Sequence, residues 1–267
     1  MTQEYPAVLA TFLLVFFTTV GCNLIRSLTK RILRNDPVWY SYAAELISTF
    51  QLVAGVIEGD IILEEYGLYW YALYLWILFV SESLTFDGDS TANTCMIWQS
   101  MLKGDFSPGV ALSKICLQVV GGQLAYPYVR FMWKVVPTNR HQRKVSHLLQ
   151  VYCASALNVS ILEGGFAEAL ATLTYFMTLN FQPKGKYSGM FADAAIQVLI
   201  IVTGLEWTGM MFNPALAAGI TLNCGNQSLL EHLLVYWAAP LATVPLARAI
   251  AGAFNRPTPA VPPTKED

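Results

Sequence analysis

Two asparagines each stand directly before a short apolar segment, and their side chains could act on a passing solute. Asn213 opens the stretch Asn213-Pro214-Ala215, and Asn93 opens the related stretch Asn93-Thr94-Cys95. Asparagine is a favoured N-cap, so each stretch predicts a helix start. In the first-named stretch Pro214 adds to this prediction, because proline is favoured at the first helical position. The segment after each asparagine holds about ten residues, roughly 15 Å of helix, which is half of a hydrocarbon core of about 30 Å.

Such half-helices have a chemical use if their N-termini meet inside a membrane. Each helix N-terminus carries a partial positive charge, and each asparagine adds an amide NH₂ donor. Water or a hydroxyl group would present its oxygen to these donors, while a proton or cation would meet a positive potential. A single asparagine before a helix is also an ordinary cap, so the functional interpretation depends on the pairing of Asn93 with Asn213.

The composition places the whole chain in the membrane class. Of its 267 residues, 55% are hydrophobic and only 13% are charged, and the mean hydropathy is +0.45. The net charge of −2 provides no basic field for nucleic acid. His141, His147 and His232 are scattered and no nucleophile has a matching base nearby, so we expect no enzyme activity, cofactor or metal. The five cysteines lack CxxC spacing, and we expect neither a disulfide framework nor a zinc site.

Apolar runs predict the helices that must position the two asparagines. We expect them at about 7–25, 40–56, 68–85, 108–129, around 167–172, 190–205 and 229–254, with an acidic loop holding Glu58, Asp60, Glu64 and Glu65 after the second. The first run could instead be a signal peptide. It lacks a basic leading region and a clear cleavage site, which favours an uncleaved helix.

An internal repeat organises these elements. Glu45 precedes Asn93 by 48 positions and Glu168 precedes Asn213 by 45, and each glutamate is followed four residues later by a threonine, Thr49 or Thr172. The order of acid-bearing helix, helix and half-helix therefore occurs twice. If the helix at 108–129 belongs to the first copy, each copy has an odd number of spans, so the two copies are inverted relative to each other in the membrane. An acid inside an apolar helix is costly and predicts a buried partner, so each glutamate is either a scaffold residue or part of a proton relay.

Together these features resemble the aquaporin family over about residues 41 to 253. More narrowly, the altered first box, the intact second box and Cys224, nine positions past Ala215, resemble the superaquaporin branch. The resemblance implies an all-α polytopic membrane fold: an inverted repeat with two re-entrant half-helices, plus an extra N-terminal helix. It also implies that Glu45 and Glu168 accept hydrogen bonds from backbone N–H groups and that the chain forms a homotetramer in intracellular membranes such as the endoplasmic reticulum. For Cys224 it implies a structural or assembly role. The alternatives are a plasma-membrane location and, for Cys224, an ordinary buried thiol.

The domain organisation follows from this comparison. We expect an extra N-terminal helix with a basic loop over 1–36, a first repeat over 37–133, a connecting loop over 134–158, a second repeat over 159–254 and a disordered cytosolic tail over 255–267.

The chain departs from the family pattern at its narrowest points. Thr94 and Cys95 replace proline and alanine, which predicts a less rigid start of the first half-helix. Leu216 stands where orthodox aquaporins have arginine, and the resemblance places Leu73, Ile201 and Met210 beside it in the selectivity filter. The expected function is a channel for water and small neutral solutes such as glycerol or hydrogen peroxide. The alternatives are a non-conducting membrane scaffold and an ion-coupled secondary transporter.

The distribution of cations predicts the orientation. If residues 26–40 are cytosolic, ten lysines and arginines lie on that face and five on the other, with Lys114 undecided; all five are in the midpoint segment 130–147. Seven spans then place the N-terminus outside or in the lumen and the C-terminus in the cytosol. The sequons at Asn158 and Asn226 fall on the lumenal side and are candidates for glycosylation.

Overall fold

The computed structural model describes residues 7–87, 90–136, 138–148, 155–222, 224 and 227–254, and within these ranges it contains helices and no strands. The helices are α1 (Ala7–Ile32), α2 (Pro37–Tyr66), α3 (Leu68–Thr85), α4 (Thr94–Lys103), α5 (Pro108–Val135), α6 (Asn139–Leu148), α7 (Ile161–Thr178), α8 (Lys186–Thr208), α9 (Pro214–Thr221), α10 (Leu229–Leu233) and α11 (Ala239–Phe254). A 3₁₀ turn, Leu179–Phe181, follows α7, and a π-helical segment, Leu234–Ala238, joins α10 to α11. The expected tail at 255–267 and the sequon at Asn226 lie outside the described residues.

The helices begin where local sequence rules place them. The Asp36 side chain accepts the Trp39 N–H, and Pro37 occupies the first turn of α2. Ser160 and Glu163 form a capping box at the start of α7. These side chains bond N–H groups that have no partner within the helix, so they define its first turn.

The prediction of an acidic loop after residue 56 is wrong, because α2 continues as a helix to Tyr66. Its acids are matched by a helix that we did not expect, α6, within the segment between the two copies. His141 Nε2 lies 2.9 Å from Glu58 Oε1, Arg140 pairs with Glu65, and Lys144 pairs with Glu64. Partners on a distant part of the chain thus allow an acid-rich segment to remain helical.

Four stretches in the described ranges are long and apolar enough to cross a membrane: α1, α2, α8 and the stretch Leu229–Ala253. Two copies of one arrangement are recognisable, one from α2 to α5 and one from α7 to α11, and α6 lies between them. The half-helix α9 packs mainly against α5 and α2 of the first copy, whereas α4 packs both against α5 of its own copy and against α11 of the second. Helix α1 lies outside both copies and packs against α2.

The glycine pair in α5 brings three helices together. A Cβ atom on Gly121 would lie 2.4 Å from the Leu46 carbonyl oxygen of α2. A Cβ atom on Gly122 would lie 3.0 Å from the Ala215 carbonyl oxygen and 3.3 Å from Gly219 Cα, both in α9. The two small residues allow this close helix approach, which fixes α9 against the first copy.

Candidate functional site: the junction of two half-helices

The two half-helices meet at their N-termini through hydrogen bonds between the boxes. Asn213 Nδ2 donates to the Ala92 carbonyl oxygen at 2.8 Å, and the Thr94 N–H donates to Asn213 Oδ1 at 3.3 Å. The fold therefore brings together Asn93-Thr94-Cys95 and Asn213-Pro214-Ala215, which are far apart in the sequence.

Each asparagine caps its own half-helix. Asn93 Oδ1 accepts the Cys95 N–H at 2.9 Å, and Asn213 Oδ1 accepts the Ala215 N–H at 3.2 Å. Both asparagines have extended backbone angles, as N-caps do. The two predicted helix starts are confirmed, and the amide groups lie at the positive ends of both helix dipoles.

The two glutamates hold the segments that lead into the boxes, in matching ways. Glu45 accepts the N–H groups of Thr91 and Ala92, at 3.0 and 3.1 Å. Both glutamate side chains are fully buried. Buried carboxylates need such donors, and here the donors are backbone groups at fixed positions.

Glu168 repeats the pattern in the second copy. It accepts the N–H groups of Met211 and Phe212, at 2.9 and 2.6 Å. The paired residues stand two and one positions before the asparagine in both copies, so the glutamate sets the direction in which each asparagine enters its half-helix.

The residue directly before each asparagine has a strained backbone. Ala92 has φ of 50° and Phe212 has φ of 33°, in the left-handed region that residues other than glycine rarely adopt. Such a conformation costs on the order of 1–3 kcal/mol and persists only where the surroundings impose it. The carboxylates of Glu45 and Glu168 impose it by binding the N–H groups of these two residues.

The two boxes differ in what surrounds each carboxylate. Gln118 Nε2 donates to Glu45 at 2.8 Å, and Lys114 Nζ lies 3.7 Å from the same carboxylate. The Glu168 carboxylate instead accepts the Thr208 hydroxyl at 2.6 Å. The first copy therefore uses an amide and a cation of α5 where the second uses a hydroxyl of α8.

Thr94 makes two contacts that the usual proline could not make. Its hydroxyl donates to Gln118 Oε1 at 3.0 Å, and its N–H reaches Asn213 Oδ1. Proline has no N–H and no hydroxyl. The less rigid start expected for α4 is thus opposed by hydrogen bonds to α5 and to the other box.

A cavity of about 260 Å³ lies beside the second box, and three of the four predicted filter residues line it: Ile201, Met210 and Leu216. Asp60 is its one charged lining residue within the described ranges. The rest of its wall is mainly apolar and includes Val56, Ile57, Leu63, Tyr71, Leu75, Leu205, Met211 and Ile220.

Leu73 is not brought together with the other three filter residues. It lines a separate apolar cavity with Val8 and Phe12 of α1. The α3 residues that line the cavity beside the second box are instead Tyr71 and Leu75. A helix turns about 100° per residue, so a side chain two positions from Tyr71 points to a different side.

Sequence reasoning missed Lys114, Gln118 and Asp60 at the site. Lys114 and Gln118 are four residues apart on α5, one turn before Gly122, and polar residues at this spacing in an apolar helix share one face. That spacing was the available signal. Asp60 gave no such signal, since its position at the cavity depends on α2 extending beyond residue 56.

The four cysteines within the described ranges fall into two groups. Cys22, Cys95 and Cys116 are free thiols, whereas Cys224 is disulfide-bonded. The alternative of an ordinary buried thiol at Cys224 is therefore wrong.

These features define the class of protein: an all-α integral membrane protein of two repeated halves whose half-helices meet at a pair of asparagines. No protein-family profile matches the chain. Among curated proteins it is 31% identical to putative aquaporin-12A of Homo sapiens over 241 residues, covering 87% of this chain and 76% of the relative. It is 29% identical to aquaporin-12 of Mus musculus, covering 87% and 81%, and 24% identical to aquaporin-11 of Homo sapiens, covering 81% and 80%.

The chain belongs to the aquaporin family, and the resemblance to its superaquaporin branch is confirmed. The fold agrees, since the X-ray structure of the aquaglyceroporin from Plasmodium falciparum superposes with a TM-score of 0.52. That match covers 80% of this chain and 95% of the other at 14% identity. Members of this family are membrane channels for water and small solutes, not enzymes.

Proposed function

We propose that this chain is a passive channel for water and small neutral solutes such as glycerol or hydrogen peroxide. The observation that carries the proposal is the meeting of two asparagine-capped half-helix N-termini at one junction. Amide donors and two positive dipole ends orient an oxygen and oppose cations and protons at that point. In this proposal the solute path passes Asn93 and Asn213, and Glu45 and Glu168 serve as scaffold residues.

The apolar cavity beside the second box supports the solute range. Ile201, Met210 and Leu216 line it, and an apolar wall accommodates carbon skeletons better than an arginine would. We propose that these three residues form the selectivity filter together with Tyr71 or Leu75 of α3, in place of Leu73. Asp60 then stands as the charged residue of the cavity wall.

An ion-coupled transporter is less well supported, because both candidate coupling acids are already engaged. Each glutamate is held by two backbone N–H groups and by at least one side chain. Binding and releasing a coupling ion there would require these bonds to break in each cycle. The geometry favours a fixed scaffold over a proton relay.

The proposal is tested by osmotic shrinkage of proteoliposomes that hold the purified chain, with sucrose as the impermeant osmolyte. A channel shrinks well above protein-free vesicles with a low activation energy, and glycerol and peroxide uptake then rank the solutes. Shrinkage at the rate of protein-free vesicles, with the protein verified as folded, would point to the non-conducting scaffold.

The filter assignment has its own test in Leu216→Arg, with Leu216→Met as the matched apolar control. We expect the ratio of glycerol uptake to water flux to fall several-fold in the arginine variant, because the arginine side chain narrows the passage and its charge binds water well. The methionine variant keeps the ratio. An unchanged ratio in Leu216→Arg would remove Leu216 from the filter.

We further propose a homotetramer in intracellular membranes such as the endoplasmic reticulum, with the N-terminus lumenal and the C-terminus cytosolic. The family resemblance supports the homotetramer and the intracellular membrane, and the charge distribution supports the orientation. Asn158 Nδ2 donates to the Glu206 carbonyl oxygen at 3.0 Å, so glycosylation there would first have to break that bond.

A further inference from the structure

Helix α1 lies outside the two repeated halves, yet it inserts one cation deep into the first copy. Arg26 is only 2% exposed. Its Nη2 donates to Gln51 Oε1 at 2.8 Å and its Nη1 to Ser48 Oγ at 3.3 Å, both on α2. A buried guanidinium is costly unless it is hydrogen-bonded, so these contacts determine where α1 can sit.

The contacts continue from Arg26 to the segment that leads into the first box. Ser48 Oγ lies 2.9 Å from Ser90 Oγ, and Ser90 is followed by Thr91 and Ala92, the residues whose N–H groups bind Glu45. Glu45 and Ser48 are three residues apart and share one face of α2. Arg26 therefore orients the serine that holds the same segment as the carboxylate.

A second cation of α1 lies one turn further on and contacts the start of this region. Lys30 Nζ donates to Asp87 Oδ2 at 2.7 Å, and the Tyr40 hydroxyl donates to the same oxygen at 2.5 Å. The Lys30 side chain is 60% exposed, so solvent weakens this pair. Arg26 is the stronger of the two contacts.

The segment that leads into the second box is held by hydrogen bonds from within its own copy. Thr208 Oγ1 donates to Glu168, the Met210 N–H donates to Thr208 Oγ1, and the Tyr236 hydroxyl donates to the Thr208 carbonyl oxygen at 2.8 Å. Support of the first box thus includes a helix from outside the repeat, whereas these contacts of the second box all come from α7 to α11.

We propose that α1 acts as a strut for the first box, with Arg26 as a positioning residue that holds Ser90 to Ala92 and so sets Asn93 at the junction. The helix then has a task beyond anchoring the chain in the bilayer. It supplies part of the rigidity that proline would give at position 94. Only the consequence for permeation rests on the proposed channel function.

Hydrogen exchange of the full chain in lipid, read by mass spectrometry, tests the strut directly. In Arg26→Met we expect amides in peptides covering Ser90 to Cys95 to exchange roughly tenfold faster, since their support is lost. Peptides covering Thr208 to Ala215 report the second box and should be unchanged. Arg31→Met, an exposed cation of the same helix, is the matched control.

Three further variants keep the test decisive. Ser48→Ala breaks the link to Ser90 while leaving Arg26 and Gln51 in place, so it should also loosen the first box alone. Arg26→Lys retains the positive charge but replaces the two-pronged guanidinium by a single ammonium nitrogen, so it should be intermediate, and Lys30→Met should have the smallest effect. Equal protection of the first box in Arg26→Met and wild type would overturn the proposal, as would equal loosening of both boxes, which indicates general destabilisation.

Permeability separates this inference from the proposed function. If wild type conducts, Arg26→Met should slow water flux several-fold while Arg31→Met does not. If wild type does not conduct, the channel proposal fails, and the exchange of the first box still decides whether α1 supports it.

Discussion

The first and second boxes reach the same backbone geometry by different means. In both, an asparagine caps a half-helix, a buried glutamate binds two N–H groups, and a residue with positive φ precedes the asparagine. The second box keeps Pro214, which fixes φ at the first helical position. The first box has Thr94, which is held by Gln118 and Asn213 instead.

The comparison indicates that the element common to both boxes is the carboxylate and not the proline. Proline acts through the covalent ring, on its own φ only. A buried carboxylate binds two successive N–H groups, and the second of them belongs to the strained residue directly before the cap. The proline can therefore be replaced by hydrogen bonds while the glutamate is kept in both copies.

Removing either carboxylate should have the largest effect, because it is the feature that both boxes share. In Glu168→Gln and in Glu45→Gln one amide NH₂ faces a backbone N–H, and a buried donor without a partner costs about 1–3 kcal/mol. We expect lower thermal stability in detergent and loss of most water flux for both variants. Glu206→Gln, at an exposed site, is the control. Wild-type stability in both variants would contradict the shared role.

A methyl group on Gly122 should damage the second box and spare the first. The added Cβ would lie 3.0 Å from the Ala215 carbonyl oxygen, which is backbone and cannot move aside freely. Overpacking of this kind costs about 1–3 kcal/mol. Gly109→Ala, at an open position at the start of the same helix, is the control. Hydrogen exchange should show loosening around Asn213, and loosening confined to Asn93 would be the wrong result.

The smallest effect should come from Thr94→Val, which keeps the N–H and removes only the hydroxyl. The lost hydrogen bond to Gln118 is worth about 1 kcal/mol. Thermal unfolding should register this small loss, with exposed Thr174→Val as the control. A loss as large as that of Glu45→Gln would mean that the hydroxyl, and not the carboxylate, organises the first box.

The sequence predicts the paired asparagines and glutamates because a repeat places the same residue types at nearly the same spacing twice. Gly121 and Gly122 also carry a signal in the sequence, since small residues mark close helix contacts. The roles of Lys114 and Gln118 depend on which face of α5 turns towards the box, and that is settled by packing against α2 and α9. The extent of α2 was missed for a similar reason: its acids look like a loop until the cations of α6 are placed beside them.

The ion pairs between α2 and α6 also bear on how the chain inserts into the membrane. In the predicted orientation, the midpoint segment is the exception to the positive-inside rule, with five cations on the less basic face. Two of these five, Arg140 and Lys144, are bonded to acids of α2. The charges of these two residues are balanced by acids of the same chain, so in the predicted orientation that face presents charges of both signs to the lipid headgroups. The excess of positive charge on the cytosolic face is then larger than a count of cations alone gives.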